Sequence, residues 1–223
     1  MTKLFLSLSA FLCFASVVSA SNPVLDNPDN CSYWGVRIGY DWNLPGEWNT
    51  PYENDIDLFK SGSGVSVTGI YNLPIKANLF FEPGVTFYYD KYAYKDLLLT
   101  DETGMIVDKD PKVRKYGIRI PLSLGYRFDF FDHLSMSLFT GPQFGYAFYG
   151  DVKTKEDIDG FPENLFSEYG QRRFNLDWNI GFGVEFNYHW VFSITGSIGL
   201  NDLQKNDVSF KENRLVFALG YNF

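Results

Sequence analysis

Arg214–Phe223, reading R-L-V-F-A-L-G-Y-N-F, decides how this chain is understood. Leu215, Phe217, Leu219, Tyr221 and Phe223 alternate with Val216, Ala218, Gly220 and Asn222, and the sequence stops on the aromatic ring. Side chains of a strand point to opposite faces in turn, so a period of two means one greasy face and one of small or polar groups.

Working outward, the same alternation recurs seven times upstream, at about Tyr33–Trp42, Gly64–Leu73, Asn78–Asp90, Tyr116–Phe128, Leu134–Phe148, Arg173–Asn187 and Trp190–Leu200. Tyr116–Phe128 is the clearest: Ile118, Ile120, Leu122, Leu124, Tyr126 and Phe128 alternate with Gly117, Arg119, Pro121, Ser123, Gly125 and Arg127. Ile70 and Phe80 break the pattern as apolar residues on the polar face. Pro83, Pro121 and Pro142 each remove a ladder donor, so a bulge or bend is expected at each. The connections run long (43–63), short, long (91–115), short, long (149–172), short and moderate. A soluble sandwich has no reason to sort its connections by parity. A membrane barrel with both termini on one side does, because its external loops are long and its periplasmic turns short. The reading is all-β: an eight-stranded antiparallel up-and-down transmembrane β-barrel over residues 33–223, preceded by a polar lead at 21–32.

Composition agrees. The 223 residues are 19% aromatic, with 22 Phe and 15 Tyr, and carry a net charge of −8 that makes nucleic acid an unfavourable partner. Mean hydropathy is only −0.16, as expected when each strand gives half its side chains to lipid. Residues 1–20 read as a secretory signal peptide: Lys3, the apolar run Leu4–Val18, and a Val18-Ser19-Ala20 cleavage site. Phe11-Leu12 before Cys13 fit a lipidation signal poorly, and cleavage after Ala20 leaves Cys31 with no intrachain partner.

The two faces carry the functional expectations. Trp34, Tyr126, Phe128, Tyr188, Trp190, Tyr221 and Phe223 form one aromatic belt, and Tyr40, Trp42, Tyr89, Tyr92, Tyr116, Tyr146 and Tyr149 the other. Arg37, Asp41, Glu82, Arg119, Arg127, Asp129, Asp177 and Glu185 face inward, where eight strands leave just enough room for side chains. They read as a salt-bridged plug, with an ion or proton path as the rival. No catalytic, cofactor or metal site is expected. His133 and His189 fall in short turns, the carboxylates of Asp101–Asp110 and Asp151–Asp159 follow no calcium-loop spacing, and Ser61-Gly62-Ser63-Gly64 lacks the lysine of a phosphate loop.

Certain segments resemble a known group. Trp34-Gly35-Val36-Arg37-Ile38-Gly39, the Tyr116–Phe128 strand, Gly141-Pro142-Gln143-Phe144-Gly145-Tyr146 and the closing Leu219–Phe223 are similar to strands of the small outer-membrane β-barrel proteins of Bacteroidetes-type bacteria, PorT-like proteins among them. The resemblance implies residence in the outer membrane of a Gram-negative bacterium with both termini periplasmic, contact with lipid, and recognition of Phe223 by barrel-assembly machinery. It implies no catalytic set. The loops are longer and more acidic than a minimal member needs, which places a partner-binding role at 43–63, 91–115 and 149–172, with Trp48, Tyr52 and Phe161 as contacts. The expected function is a structural or surface-interaction barrel; a narrow pore and an outer-membrane enzyme are the alternatives. A lipocalin-like soluble barrel, aromatic side inward, is the architectural rival.

Overall fold

The structure is a computed structural model that describes residues 31–47, 49, 57–95, 98–100, 106–131, 133–153, 164–167, 170–205 and 209–223. The expected signal peptide at 1–20, most of the expected lead, Trp48, Tyr52, Phe161 and Asp101 lie outside these residues. The described residues form ten strands: β1 (Tyr33–Pro45), β2 (Phe59–Lys76), β3 (Leu79–Tyr94), β4 (Leu98–Thr100), β5 (Ile106–Lys109), β6 (Lys112–Phe131), β7 (Leu134–Lys153), β8 (Phe174–Phe186), β9 (Trp190–Gly199) and β10 (Glu212–Asn222). Eight of them close an antiparallel barrel in the order β1-β10-β9-β8-β7-β6-β3-β2, and β4 and β5 make a separate hairpin between β3 and β6. The seam joins the chain's ends, with Val36 opposite Tyr221 and Trp42 opposite Leu215.

The tight turns sit on the side of the termini. Ala77 and Asn78, and again Asn187 and Tyr188, take positive φ, the conformation a two-residue turn needs if its twist is to match that of the flanking strands. The long connections all lie at the other rim.

The outer face is the apolar one. Trp34, Ile38, Phe87, Ile180 and Leu219 are each more than half exposed, while Asp41, Asn72, Asp177 and Asn222 are sealed inside. This inversion of a soluble protein removes the lipocalin-like alternative. Ile70 and Phe80 do point inward, both 4% exposed. Gly125 makes room for one of them, since a Cβ there would lie 2.3 Å from the Phe80 ring.

Several expectations change. Pro83, Pro121 and Pro142 stay within the strands without bulges: the β3–β6 and β6–β7 ladders open beside Pro83 and Pro121 and resume in the same register. Register shifts fall elsewhere, at Lys60/Ser63, Pro74/Lys76, Tyr116/Gly117 and Asp129/Phe131. The loops are also shorter than 43–63, 91–115 and 149–172, because β2, β3, β6 and β7 run on for 16 to 20 residues while β1, β8, β9 and β10 have 10 to 13. A tilted strand of about 9–11 residues crosses the hydrocarbon. Four neighbouring strands therefore form a tall wall that rises past the membrane. Tyr92 is not in the aromatic belt; on that wall it points inward and is 3% exposed. Asp129 is not in the lumen either. It is exposed near the termini, where Asn78 donates to it at 3.1 Å.

Candidate functional site

The lumen is the chemically differentiated part of the molecule, and strand pairing stacks it in layers. Nearest the termini, Arg127 (β6) donates to the Tyr33 hydroxyl at 2.7 Å, lies 3.8 Å from Glu185, and sits 5.2 Å over the Phe80 ring. Asn72 donates to Glu82 at 3.2 Å in the same layer. Ile70, Phe80 and Val191 fill the remaining width.

Above this floor lies a cavity of about 120 Å³, bounded by Ser66, Thr68, Thr86, Ser123, Ser193 and Thr195 among others. A water needs roughly 10–15 Å³ of such space, so the chamber has room for several in a polar setting. Small hydroxyl side chains leave the space open. Larger residues close it above and below.

The ceiling of the chamber is ionic. Arg119 bridges Asp41 at 2.6 Å and Asp90, with its guanidinium 3.7 Å from the Tyr88 ring centroid, and Ser66 donates to Asp41 at 2.6 Å. Arg214 pairs with Asp177, which also accepts from Gln143 at 3.0 Å and Asn175 at 2.8 Å. Ser197 donates to Asn179 at 2.7 Å and Asn179 donates to Gln143 at 3.1 Å, extending the network along the wall. Lys115 pairs with Glu212. Since β6 and β10 stand four places apart in the ring of eight, that contact spans the full diameter. Strand β6 is thus a cationic spine whose Lys115, Arg119 and Arg127 reach carboxylates on β10, β1, β3 and β8. Burying charges in a low-dielectric interior costs several kcal/mol per ion unless each is paired and hydrogen-bonded. Here Lys115–Glu212 and Arg119–Asp41 reach across the lumen, so contacts that satisfy the charges also obstruct the passage.

Over the ceiling lies an apolar cap of Phe59, Tyr92, Val113, Ala147, Val152, Leu165, Phe166, Leu203 and Phe210. Val113 and Phe210 are completely buried, and Phe59 packs on Tyr92, Tyr94 and Phe210 with ring centroids 4.8 to 5.3 Å apart. Leu165 and Phe166 come from the β7–β8 connection and Leu203 and Phe210 from β9–β10, held by bridges at Asp151–Asn164, Gln171–Gln204 and Asn49–Ser209. Leu165 and Phe166, in the described part of 149–172, therefore pack inward as part of the cap.

The family model for the outer membrane protein beta-barrel domain matches residues 26–205. The chain belongs to that family. Membership accounts for a closed barrel with an apolar outer face and assigns it to an outer membrane of Gram-negative type. Among curated proteins, none matches this family member. Solved structures similar to it include Neisserial surface protein A at 11% identity, covering 85% of this chain and 97% of that one with a TM-score of 0.46. Ail, the attachment invasion locus protein of Yersinia pestis, is 16% identical, with 86% and 99% covered and a TM-score of 0.41. The outer membrane enzyme PagL is 11% identical, with 84% and 98% covered and a TM-score of 0.40.

Of the inward residues expected from sequence, Arg37, Asp41, Arg119, Arg127, Asp177 and Glu185 are buried in the lumen, and Glu82 is half-buried beside Asn72. The sequence reading missed Asp90, Lys115, Glu212 and Arg214, which complete the ceiling. They sit at or beyond the ends assigned to their strands; carrying the alternation a few residues further would have found them. His133 is exposed in its turn, whereas His189 is half-buried, its Nδ1 2.9 Å from the Asn222 carbonyl oxygen and its ring stacked on Tyr221. Cys31 packs beside Tyr33 and Ile70. Among the described residues, no group of His, Cys, Asp and Glu side chains is arranged to hold a metal ion.

Proposed function

We propose that this is a closed, non-enzymatic outer-membrane barrel that acts through its surface, with a lumen sealed by ion pairs and by the apolar cap. One observation carries the reading: Lys115–Glu212 joins opposite walls and Arg119–Asp41 ties β6 to β1 three strands away, beneath the layer of Val113 and Phe210, so a hydrated ion would meet a salt-bridged layer and then an oily one. The termini and tight turns face the periplasm, with Phe223 at the rim that assembly machinery would engage, and the cap faces outward. Within the family, the Tyr116–Phe128 strand favours the PorT-like Bacteroidetes group. Any protein partner meets the connections around the tall wall.

A narrow pore is the second reading, favoured by the hydroxyl-lined chamber between floor and ceiling. Planar-bilayer conductance of the refolded chain separates the two, with heat-modifiable migration as the check on folding. The closed-barrel reading expects a folded, electrically silent protein. Steady conductance steps would replace it with the pore.

A further inference from the structure

The tall wall changes character at one level. Tyr89, Tyr116 and Tyr149 lie side by side on the outside of β3, β6 and β7, with Tyr116 and Tyr149 stacked at 5.2 Å. Beyond them the outward positions turn basic. One row reads Ser63, Lys91, Arg114, Asp151 across β2, β3, β6 and β7, and the next reads Lys60, Ala93, Lys112, Lys153. Arg114 pairs with Asp151 in its row, and Lys60 pairs with Asp110 at 2.5 Å. Lys91, Lys112 and Lys153 are exposed and have no carboxylate partner among the described residues.

Two features of this arrangement are costly to the protein alone. Lys112 stands directly opposite Lys153, and Lys91 opposite Arg114. Like charges in directly opposed positions destabilise a sheet, because their Cβ atoms are only about 4.5–5.5 Å apart. The concentration of positive charge also runs against a net charge of −8. At the rim near the termini, Lys76 is the exposed cation among the described residues of these four strands.

Depth identifies the occupant. At about 3.3 Å per residue and a tilt of about 45°, positions two and four residues past the tyrosines lie roughly 5 and 9 Å further out. The headgroups add about 5–8 Å to each side of the hydrocarbon, so the first row lies within their layer and the second at its outer edge, within reach of a lysine side chain. The basic rows are continuous with the lipid-facing surface, and lysine stems lie along apolar surface while the ammonium reaches the polar layer. We propose that the outer face of β3, β6 and β7 is a lipid-binding site for a phosphorylated headgroup in the surrounding leaflet, with Lys91, Lys112 and Lys153 contacting phosphate and Tyr89, Tyr116 and Tyr149 flanking the lipid below it. The bound phosphate supplies counter-charge to the opposed Lys112 and Lys153, and to Lys91, whose neighbour Arg114 is already held by Asp151.

The test uses the full chain refolded into phosphatidylcholine nanodiscs doped with lipid A or with its dephosphorylated form, and native mass spectrometry to count retained glycolipid. The wild type is expected to retain lipid A at least five times better than the dephosphorylated form, with the difference shrinking at 0.5 M salt as screening shortens to a few ångströms. The Lys112→Gln/Lys153→Gln variant is expected to lose that preference while keeping heat-modifiable migration. Lys91→Gln alone gives a second, milder substitution with a partial loss. Equal retention by wild type and variant, or equal retention of the dephosphorylated lipid, would overturn the proposal. Full displacement of lipid A by millimolar inorganic phosphate would also overturn it, because the site would then select the free anion.

Discussion

Below the tyrosine level the molecule is inside out, and above it the molecule is the right way round. In the membrane zone Ile38, Phe87 and Leu219 face outward while Asp41, Arg119 and Asp177 are buried. Towards the upper ends of β3, β6 and β7, Val113, Tyr92 and Val152 are inside and Lys91, Lys112 and Lys153 outside. The strands do not break or twist over at this boundary; β3 and β6 keep one register from Thr86–Arg119 through to Ala93–Lys112. What changes is the solvent. Hydrocarbon accepts an apolar surface and water a charged one, and each zone places its other residue class where that solvent is absent. The exchange of faces therefore marks the membrane edge on the protein itself.

The largest expected effect tests the charged interior. Arg119→Ala leaves Asp41 and Asp90 buried without their shared cation, and removing one partner of a buried ion pair costs about 3–5 kcal/mol. Urea unfolding followed by heat-modifiable migration should show that loss. A change below about 1 kcal/mol would mean that water penetrates the ceiling and that the lumen is not sealed there.

The cap should answer to the rules of a soluble core. Leu203 is 3% exposed, and Leu203→Ala should cost about 2–5 kcal/mol through lost contacts and a cavity. The loss should fall on the upper zone, giving faster proteolysis from the rim opposite the termini while the membrane zone keeps its migration. Cooperative loss of both zones would show that they are one folding unit.

Outside, the same substitution type should have opposite consequences in the two zones. Ile38→Lys places an ammonium near the middle of the lipid-facing band of β1 and should cost about 2–4 kcal/mol. The reverse change, Lys112→Ala, should move stability by less than about 0.5 kcal/mol in phosphatidylcholine alone, as surface substitutions do. Comparable losses from both would erase the boundary drawn at Tyr89 and Tyr116.

That boundary also explains what the sequence disclosed. Alternation alone located all eight barrel strands, and the odd placement of Ile70 and Phe80 was visible in it. Strand ends were not, because the outward apolar residues that mark a strand stop at the membrane edge. Asp90, Lys115, Glu212 and Arg214 were lost for that reason. Tyr92 was placed in the belt by its chemistry, although two residues separate it from Asp90 and parity sends both inward. Which charge meets which was beyond reach: Arg119 finds Asp41 and Asp90 only through the combined registers of β1, β2, β3 and β6. Those registers depend on turns and bulges whose residues announce themselves weakly, such as Ala77 at a φ of 53°.

The pair that spans the diameter has a further consequence, in the order of events. Glu212 is on β10, the last strand of the barrel in chain order, and Lys115 sits on the wall opposite, 97 residues earlier. Asp41, on the other side of the seam, is tied to that same wall by Arg119. Contacts so distant in sequence close late, since loop entropy is lost before they form. The seam and the ceiling therefore mature together. Until the first and last strands zip, the cations of β6 lack the counterions that those strands carry, so charge neutralisation inside the lumen acts as a latch on the finished ring.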